Sequence, residues 1–311
     1  MNLHTLENSV LKCVLHPKGA AVARLLYKPK ETDVVVGLQD NNDRKASGHY
    51  LGTLVGPVAN RINNGRFTLN SREYQLDQNE GMQTLHGGSC GFSEVLWRLK
   101  DCSATSASFC YAMPDGWMGF TGSIACEVRY SLNESALVVE ILATSENRVA
   151  VNIAPHIYWN LMGSGDISQH ELQVHADEYL ELDQNNVPNG NILNTRDTSL
   201  DFQQKTPIAD RIFDHHLCLN GTGFRQILNL SAPNGITMNL HSNQTGVQIY
   251  DGRHFSSTGL IGLNDQPLCD RGGIALEPQG YPDAPNHDHF PSVFLDPSET
   301  YYHRSEFCFN H

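Results

Sequence analysis

Residues 66–76 read RFTLNSREYQL, and the spacing of the apolar side chains there decides the fold class. Phe67 and Leu69 stand two positions apart, so on an extended chain they share one face. The same period returns in ITMNL, where Ile236, Met238 and Leu240 line up. Further runs with strand character are SIACEVRYSL (123–132), ALVVEILATS (136–145), GITMNLHS (235–242) and GVQIYDG (246–252). Turn signals are spread among these runs: Asn-Gly at 64–65, 189–190, 220–221 and 234–235, and Asp-Gly at 115–116 and 251–252. Such pairs favour the positive φ angles that tight hairpins need. No segment sustains a helical period over three turns; DTSLDFQQKTPIADRIF (197–213) is the best candidate for short helical turns. The chain therefore reads as all-β, built of large packed antiparallel sheets. With no composition break, linker or fixed-period repeat, one domain over 1–311 is expected.

Composition narrows the function classes. Hydrophobic residues at 40% and charged residues at 18% fit a folded chain rather than a disordered one. Thirty-four acidic against 21 basic residues give a formal charge of −13, which disfavours nucleic acid as a partner. No run of 18 or more apolar residues exists, so no membrane-spanning helix is expected. The first residues, MNLHTLENSVLKCVLHPKGA, lack the charged and apolar regions of a secretory signal. The eight cysteines are scattered without a CxxC pair, so they read as reduced thiols in the cytoplasm, not as a zinc site.

Several segments carry residues suited to chemistry. In RGGIALEPQGYPDAPNH (271–287), Glu277 ends a small apolar run that reads as a buried strand, closed off by Pro278. Partial burial raises a carboxyl above its usual pKa of about 4.3 and suits it to general-base work. In VAVNIAPHIYWNL (149–161), His156 sits between an apolar strand and the pair Tyr158 and Trp159; histidine exchanges protons readily near neutrality. GPVANRINNGRF (56–67) offers Asn60 and Arg61, and QTLHGGSCGF (83–92) offers His86 beside two glycines that permit close backbone approach. The histidine pairs His215-His216 and His287/His289 lack an HExxH motif or cysteine partners, so they read as solvated loop residues and no metal is expected. No GxGxxG or GKS/T motif is present, which removes NAD and ATP readings; GGSCG (87–91) has the GxSxG spacing, but in a chain read as all-β it lacks the strand-to-helix elbow of an α/β-hydrolase.

In order along the chain, GPVANRINNGRFTLN, LHGGSCGF, NIAPHIYWNL, PNGNILNT, FDHHLCLNG, GVQIYDG and LEPQGYPDAPN resemble the aldose 1-epimerase (galactose mutarotase) family. The resemblance implies a galactose mutarotase-like β-supersandwich and cofactor-free interconversion of the α and β anomers of a small-molecule monosaccharide, by a monomer or homodimer. It implies that Glu277 takes the proton of the anomeric hydroxyl and His156 protonates the ring oxygen. Asn60, Arg61, His86, Tyr158, Asp214 and Gln248 would hold the sugar. Ala154-Pro155 stands where Thr-Asn is expected before the histidine, which bears on fine substrate preference. Alternatives are a hexose-6-phosphate 1-epimerase, if Arg129, Arg211, Arg253 and Arg271 gather around a phosphate, and a non-catalytic sugar-binding regulator. A glycosidase needs two carboxylates flanking a bond, and Asp214 is the best second candidate.

Overall fold

The computed structural model describes residues 2–41 and 48–310. Among them the strand ladders are antiparallel, and the helical segments are 3₁₀ turns of three or four residues. A nine-stranded sheet runs in the spatial order Arg98–Cys102, Ser106–Met113, Ile124–Asn133, Ala136–Thr144, Tyr301–Asn310, Thr237–Ser242, Arg225–Ser231, Glu171–Val174 and Thr206–Pro207. A six-stranded sheet runs Tyr158–Trp159, Ile274–Gln279, Gly246–Tyr250, Asp214–Cys218, Glu178–Leu182 and Pro188–Asn194. A smaller four-stranded sheet is formed by the N-terminal residues His4–Asp33.

The apolar faces of the sheets meet in one core. Strand Ile124–Asn133 alternates buried with exposed or half-buried residues along its length, the pattern of a sheet packed on one side. Across the core, Trp159 lies against Phe307 and Phe309, with ring centroids 4.6 and 5.8 Å apart. Trp159 is fully buried there as a packing residue, with no wall of the site to form.

Local readings fared unevenly. Phe67, Leu69, Ile236, Met238 and Leu240 are all buried, as their period required. The run 66–76 is not one strand: Asn70 and Ser71, both at positive φ, fold it into a hairpin of Arg66–Leu69 with Arg72–Gln75. Asn234-Gly235 does turn between two paired strands. Asn189-Gly190, by contrast, lies inside strand Pro188–Asn194, where the register with Glu178–Leu182 shifts. Residues 197–213 form turns and bends with the short strand Thr206–Pro207 and no helical turn. Thr198 and Arg211 bond local carbonyls there, satisfying the backbone without a helix.

Candidate active site

The two-residue period of the six-stranded sheet assembles the site. Val247, Ile249, Ile274 and Leu276 turn into the core. Their neighbours Gln248, Tyr250, Ala275 and Glu277 therefore face the other way. Register carries that face across the sheet: Gln248 pairs with Glu277 and with His216, Tyr250 with Asp214, and Ala275 with Tyr158. Strand Ile274–Gln279 is buried at every position because loops cover this second face. Glu277 thus lies within the strand, which continues through Pro278 to Gln279 instead of stopping at the proline.

The covering loops bring the remaining groups. His156 follows Ala154-Pro155, which pairs with Leu54-Val55, and its N–H bonds the Thr53 carbonyl at 2.8 Å. Pro155 therefore leaves this strand pairing intact. Asn60 and His86 hold each other in place: the His86 N–H bonds the Asn60 carbonyl at 3.0 Å, and the Asn60 N–H donates to His86 Nδ1 at 3.1 Å. Both residues stand at positive φ, 62° and 53°. The turn leaves His86 through Gly87, where a Cβ would meet the Gly56 carbonyl oxygen at 2.0 Å.

These groups line a cavity of about 410 Å³ with Tyr50, Tyr250 and Arg253, a volume within the usual range for small-molecule sites. His156 Nε2 lies 3.5 Å from Glu277 Oε1, and the two side chains are 5% and 2% exposed. His156 Nδ1 and Glu277 Oε2 have no hydrogen-bond partner. Asp214 accepts from Gln248 Nε2 at 2.6 Å and stands 3.7 Å from Arg61 Nη1. Arg61 is held by Glu80 through two bonds of 2.6 and 2.9 Å.

The separation of His156 and Glu277 suits an ion pair, yet burial opposes charge on both. Desolvation, with the nearby Asp214 charge adding to it, pushes the Glu277 carboxyl well above the carboxylate range. Desolvation also lowers His156 to about 3. Both directions favour the uncharged pair, a carboxyl group facing a neutral imidazole, over the ion pair. Burial holds His86 well below its ordinary value too, and raises the Tyr158 hydroxyl, which stays a donor.

One nitrogen or oxygen atom from each of His86, His156 and Glu277 comes within 4.8 Å of the others. His86 is nevertheless a poor metal ligand. Its Nδ1 accepts the Asn60 N–H, so the neutral ring carries its proton on Nε2. That nitrogen offers a hydrogen bond, not a lone pair.

All eight residues expected at the site line this cavity or, for Gln248, reach it through Asp214. Tyr50, Glu80 and Tyr250 also line the cavity and were not legible from the sequence. Glu80 follows Arg61 by 19 positions, and no local spacing links them. Of the four arginines weighed for a phosphate, only Arg253 lines the cavity, and Asp251 pairs it at 2.8 Å. Arg211 and Arg271 bond backbone carbonyls elsewhere, and Arg129 sits on the nine-stranded sheet.

The reading of solvated loop histidines is corrected for His215 and His216, which lie in strand Asp214–Cys218. His216 is 1% exposed, its ring 5.0 Å from that of Tyr281. His287 is half-buried, 3.3 Å from an Asp283 oxygen, while His289 is exposed and donates to the Gly190 carbonyl.

This fold, with a buried His–Glu pair in a polar cavity, has counterparts among known proteins. Residues 2–308 match the aldose 1-epimerase family. A galactose mutarotase from Bos taurus is 33% identical over 98% of this chain and 93% of its own. An aldose 1-epimerase from Escherichia coli is 31% identical over 84% of this chain and 80% of its own. A solved aldose epimerase homologue from C. elegans superposes with a TM-score of 0.94 at 27% identity, covering 100% of this chain and 99% of that one. The chain belongs to the aldose 1-epimerase family, and it is an isomerase.

Proposed function

We propose that the protein interconverts the α and β anomers of free hexoses such as galactose or glucose, with Glu277 as base and His156 as acid. The observation that carries this reading is the buried pair at 3.5 Å lining a polar cavity. O1 and O5 of a cyclic aldose are both bonded to C1, so two groups this close reach both atoms. Ionised Glu277 removes the O1 proton, the C1–O5 bond breaks, and imidazolium His156 protonates O5. The open-chain aldehyde then rotates about C1–C2. Closure reverses the transfers: the Glu277 carboxyl returns a proton to O1 as His156 takes the one on O5.

The pair carries one proton throughout, so no exchange with solvent is needed. Its resting form, with the proton on Glu277, is the form that faces the open-chain sugar. In the cyclic complex the O1–H donates to the carboxylate and O5 accepts from the imidazolium, which favours the charged form. Each positioned proton transfer typically contributes about 10²–10⁴-fold. Asp214 and Gln248 supply acceptor and donor to hydroxyls, with Asn60, Arg61, His86 and Tyr158 completing the cradle.

Among the described residues, the two cavity guanidiniums already face carboxylates, which favours an unphosphorylated sugar. A binding-only role has no use for a desolvated acid–base pair. On the same reading the chain works as one domain over 1–311, as a monomer or homodimer in the cytoplasm.

The test follows freshly dissolved α-galactose, α-glucose and glucose 6-phosphate by polarimetry with catalytic amounts of protein. Rapid equilibration of the free hexoses is expected. Acceleration confined to glucose 6-phosphate would replace this reading with the phosphohexose epimerase.

A further inference from the structure

Three of the segments that carry the site, those of Asn60-Arg61, His156 and Glu277, are joined through one buried residue. We infer that Asn152 is a positioning residue that holds the base Glu277 in register with the acid His156; the inference rests on the reading of that pair given above. Asn152 precedes His156 by four residues and is 1% exposed. Its backbone N–H bonds the Pro57 carbonyl at 2.7 Å, and its carbonyl accepts the Ala59 N–H at 2.6 Å. Those bonds fix the segment that leads directly into Asn60 and Arg61. Its side chain turns the other way. Nδ2 donates to the Gly280 carbonyl at 3.1 Å and Oδ1 accepts the Gly280 N–H at 2.8 Å.

Gly280 stands three residues beyond Glu277, just past the end of its strand. Pro278 gives that stretch no N–H, so the paired amide bonds at Gly280 anchor it at a point where the ladder ends. The fit is close: a Cβ on Gly280 would meet Val293 Cγ1 at 2.9 Å and Asn152 Oδ1 at 3.4 Å. An asparagine amide matches both backbone groups of one residue at once; no hydroxyl or carboxylate both donates and accepts in that geometry.

Division of labour between backbone and side chain makes the role separable. Truncating the side chain releases Gly280 and leaves the Pro57 and Ala59 bonds in place. The base is then displaced while the hydroxyl ligands stay, so kcat falls and KM holds. Misplacement of a reacting group by about 1 Å can cost on the order of 100-fold.

The experiment measures kcat and KM for mutarotation by N152A, N152D, E277Q and T195V, each at a temperature where it is folded. Thr195 is a control: its buried hydroxyl bonds the Asp177 carbonyl at 3.2 Å and lines no part of the cavity. N152A is expected to lose about 10–100-fold in kcat with KM within about 3-fold of wild type. N152D keeps an acceptor for the Gly280 N–H but loses the donor to its carbonyl, and falls between; it carries the test if N152A does not fold. T195V is expected to keep wild-type kcat. Asn152 variants that lose no more kcat than T195V, or that raise KM instead, would overturn the positioning role. If E277Q itself kept its rate, the assignment of the base would fall first, whatever the Asn152 variants did.

Discussion

Two buried histidines show how differently the two large sheets use the same side chain. His303, in the nine-stranded sheet, is fully buried and has both nitrogens engaged, by the Ile153 carbonyl at 2.9 Å and the Ser305 hydroxyl at 2.7 Å. His156, under the loops that cover the six-stranded sheet, is 4% exposed and has one nitrogen without a partner. Its other nitrogen faces a carboxylate that is equally short of partners. Burial lowers both rings, to about 4 and about 3. What separates them is their surroundings: the hydrogen bonds of His303 are completed within the fold, whereas His156 lines the cavity beside Glu277.

The comparison breaks most visibly through activity. Replacing His156 with glutamine is expected to lower kcat by about 10²–10⁴-fold, because the amide cannot cycle a proton at O5. Replacing His303 with glutamine should leave kcat within a few-fold and instead destabilise the fold by about 1–3 kcal/mol through its lost hydrogen bonds. Equal losses of kcat in the two variants would erase the distinction.

A smaller effect is expected at Asp214. It is held by Gln248 and sits beside Arg61, with no partner role in proton transfer. Asp214→Ala should raise KM by about 10-fold or more while kcat changes little, as loss of hydroxyl binding shared by ground and transition states predicts. Steady-state kinetics on galactose checks it. A fall in kcat at unchanged KM would make Asp214 part of the chemistry.

Subtler still is a gain in stability. The Glu277 carboxyl is raised in the folded protein, so above its unfolded value of 4.5 the unfolded chain has released a proton that the folded one retains. Stability therefore falls as pH rises from 4.5 toward the folded value. Glu277→Gln removes that penalty and should be more stable than wild type at neutral pH by about 1–3 kcal/mol, with the gain fading below pH 4.5. Thermal melts at both pH values measure the difference. A gain independent of pH would mean that the carboxyl is not desolvated in the folded state.

How far the sequence reached follows from the same contrast. Alternation in RFTL and ITMNL was readable because one face meets the core and the other meets water. Strand Ile274–Gln279 shows no alternation, since both its faces are covered, and Pro278 read as its end. An edge-type rule fails there because the strand beyond Glu277 continues to pair with Gly246 and Val247. The site residues stood out through seven short segments taken together, six of which carry one or two of them. Glu80, Tyr50 and Asn152 were hidden because their roles depend on partners far along the chain: Arg61, the two site histidines and Gly280. His215 and His216 were misread for the converse reason. Two adjacent polar residues suggest a loop, while here the strand sends one of them under Tyr281.

The most direct test of the central claim follows the anomeric proton resonances of galactose by exchange NMR, with wild-type protein and with Glu277→Gln, and measures galactose binding to each. The carboxyl-to-amide change preserves shape and removes only the ability to take a proton. Loss of nearly all anomer exchange with galactose affinity close to wild type is the predicted result. Exchange at the wild-type rate in the variant would contradict the account and move the base elsewhere in the cavity.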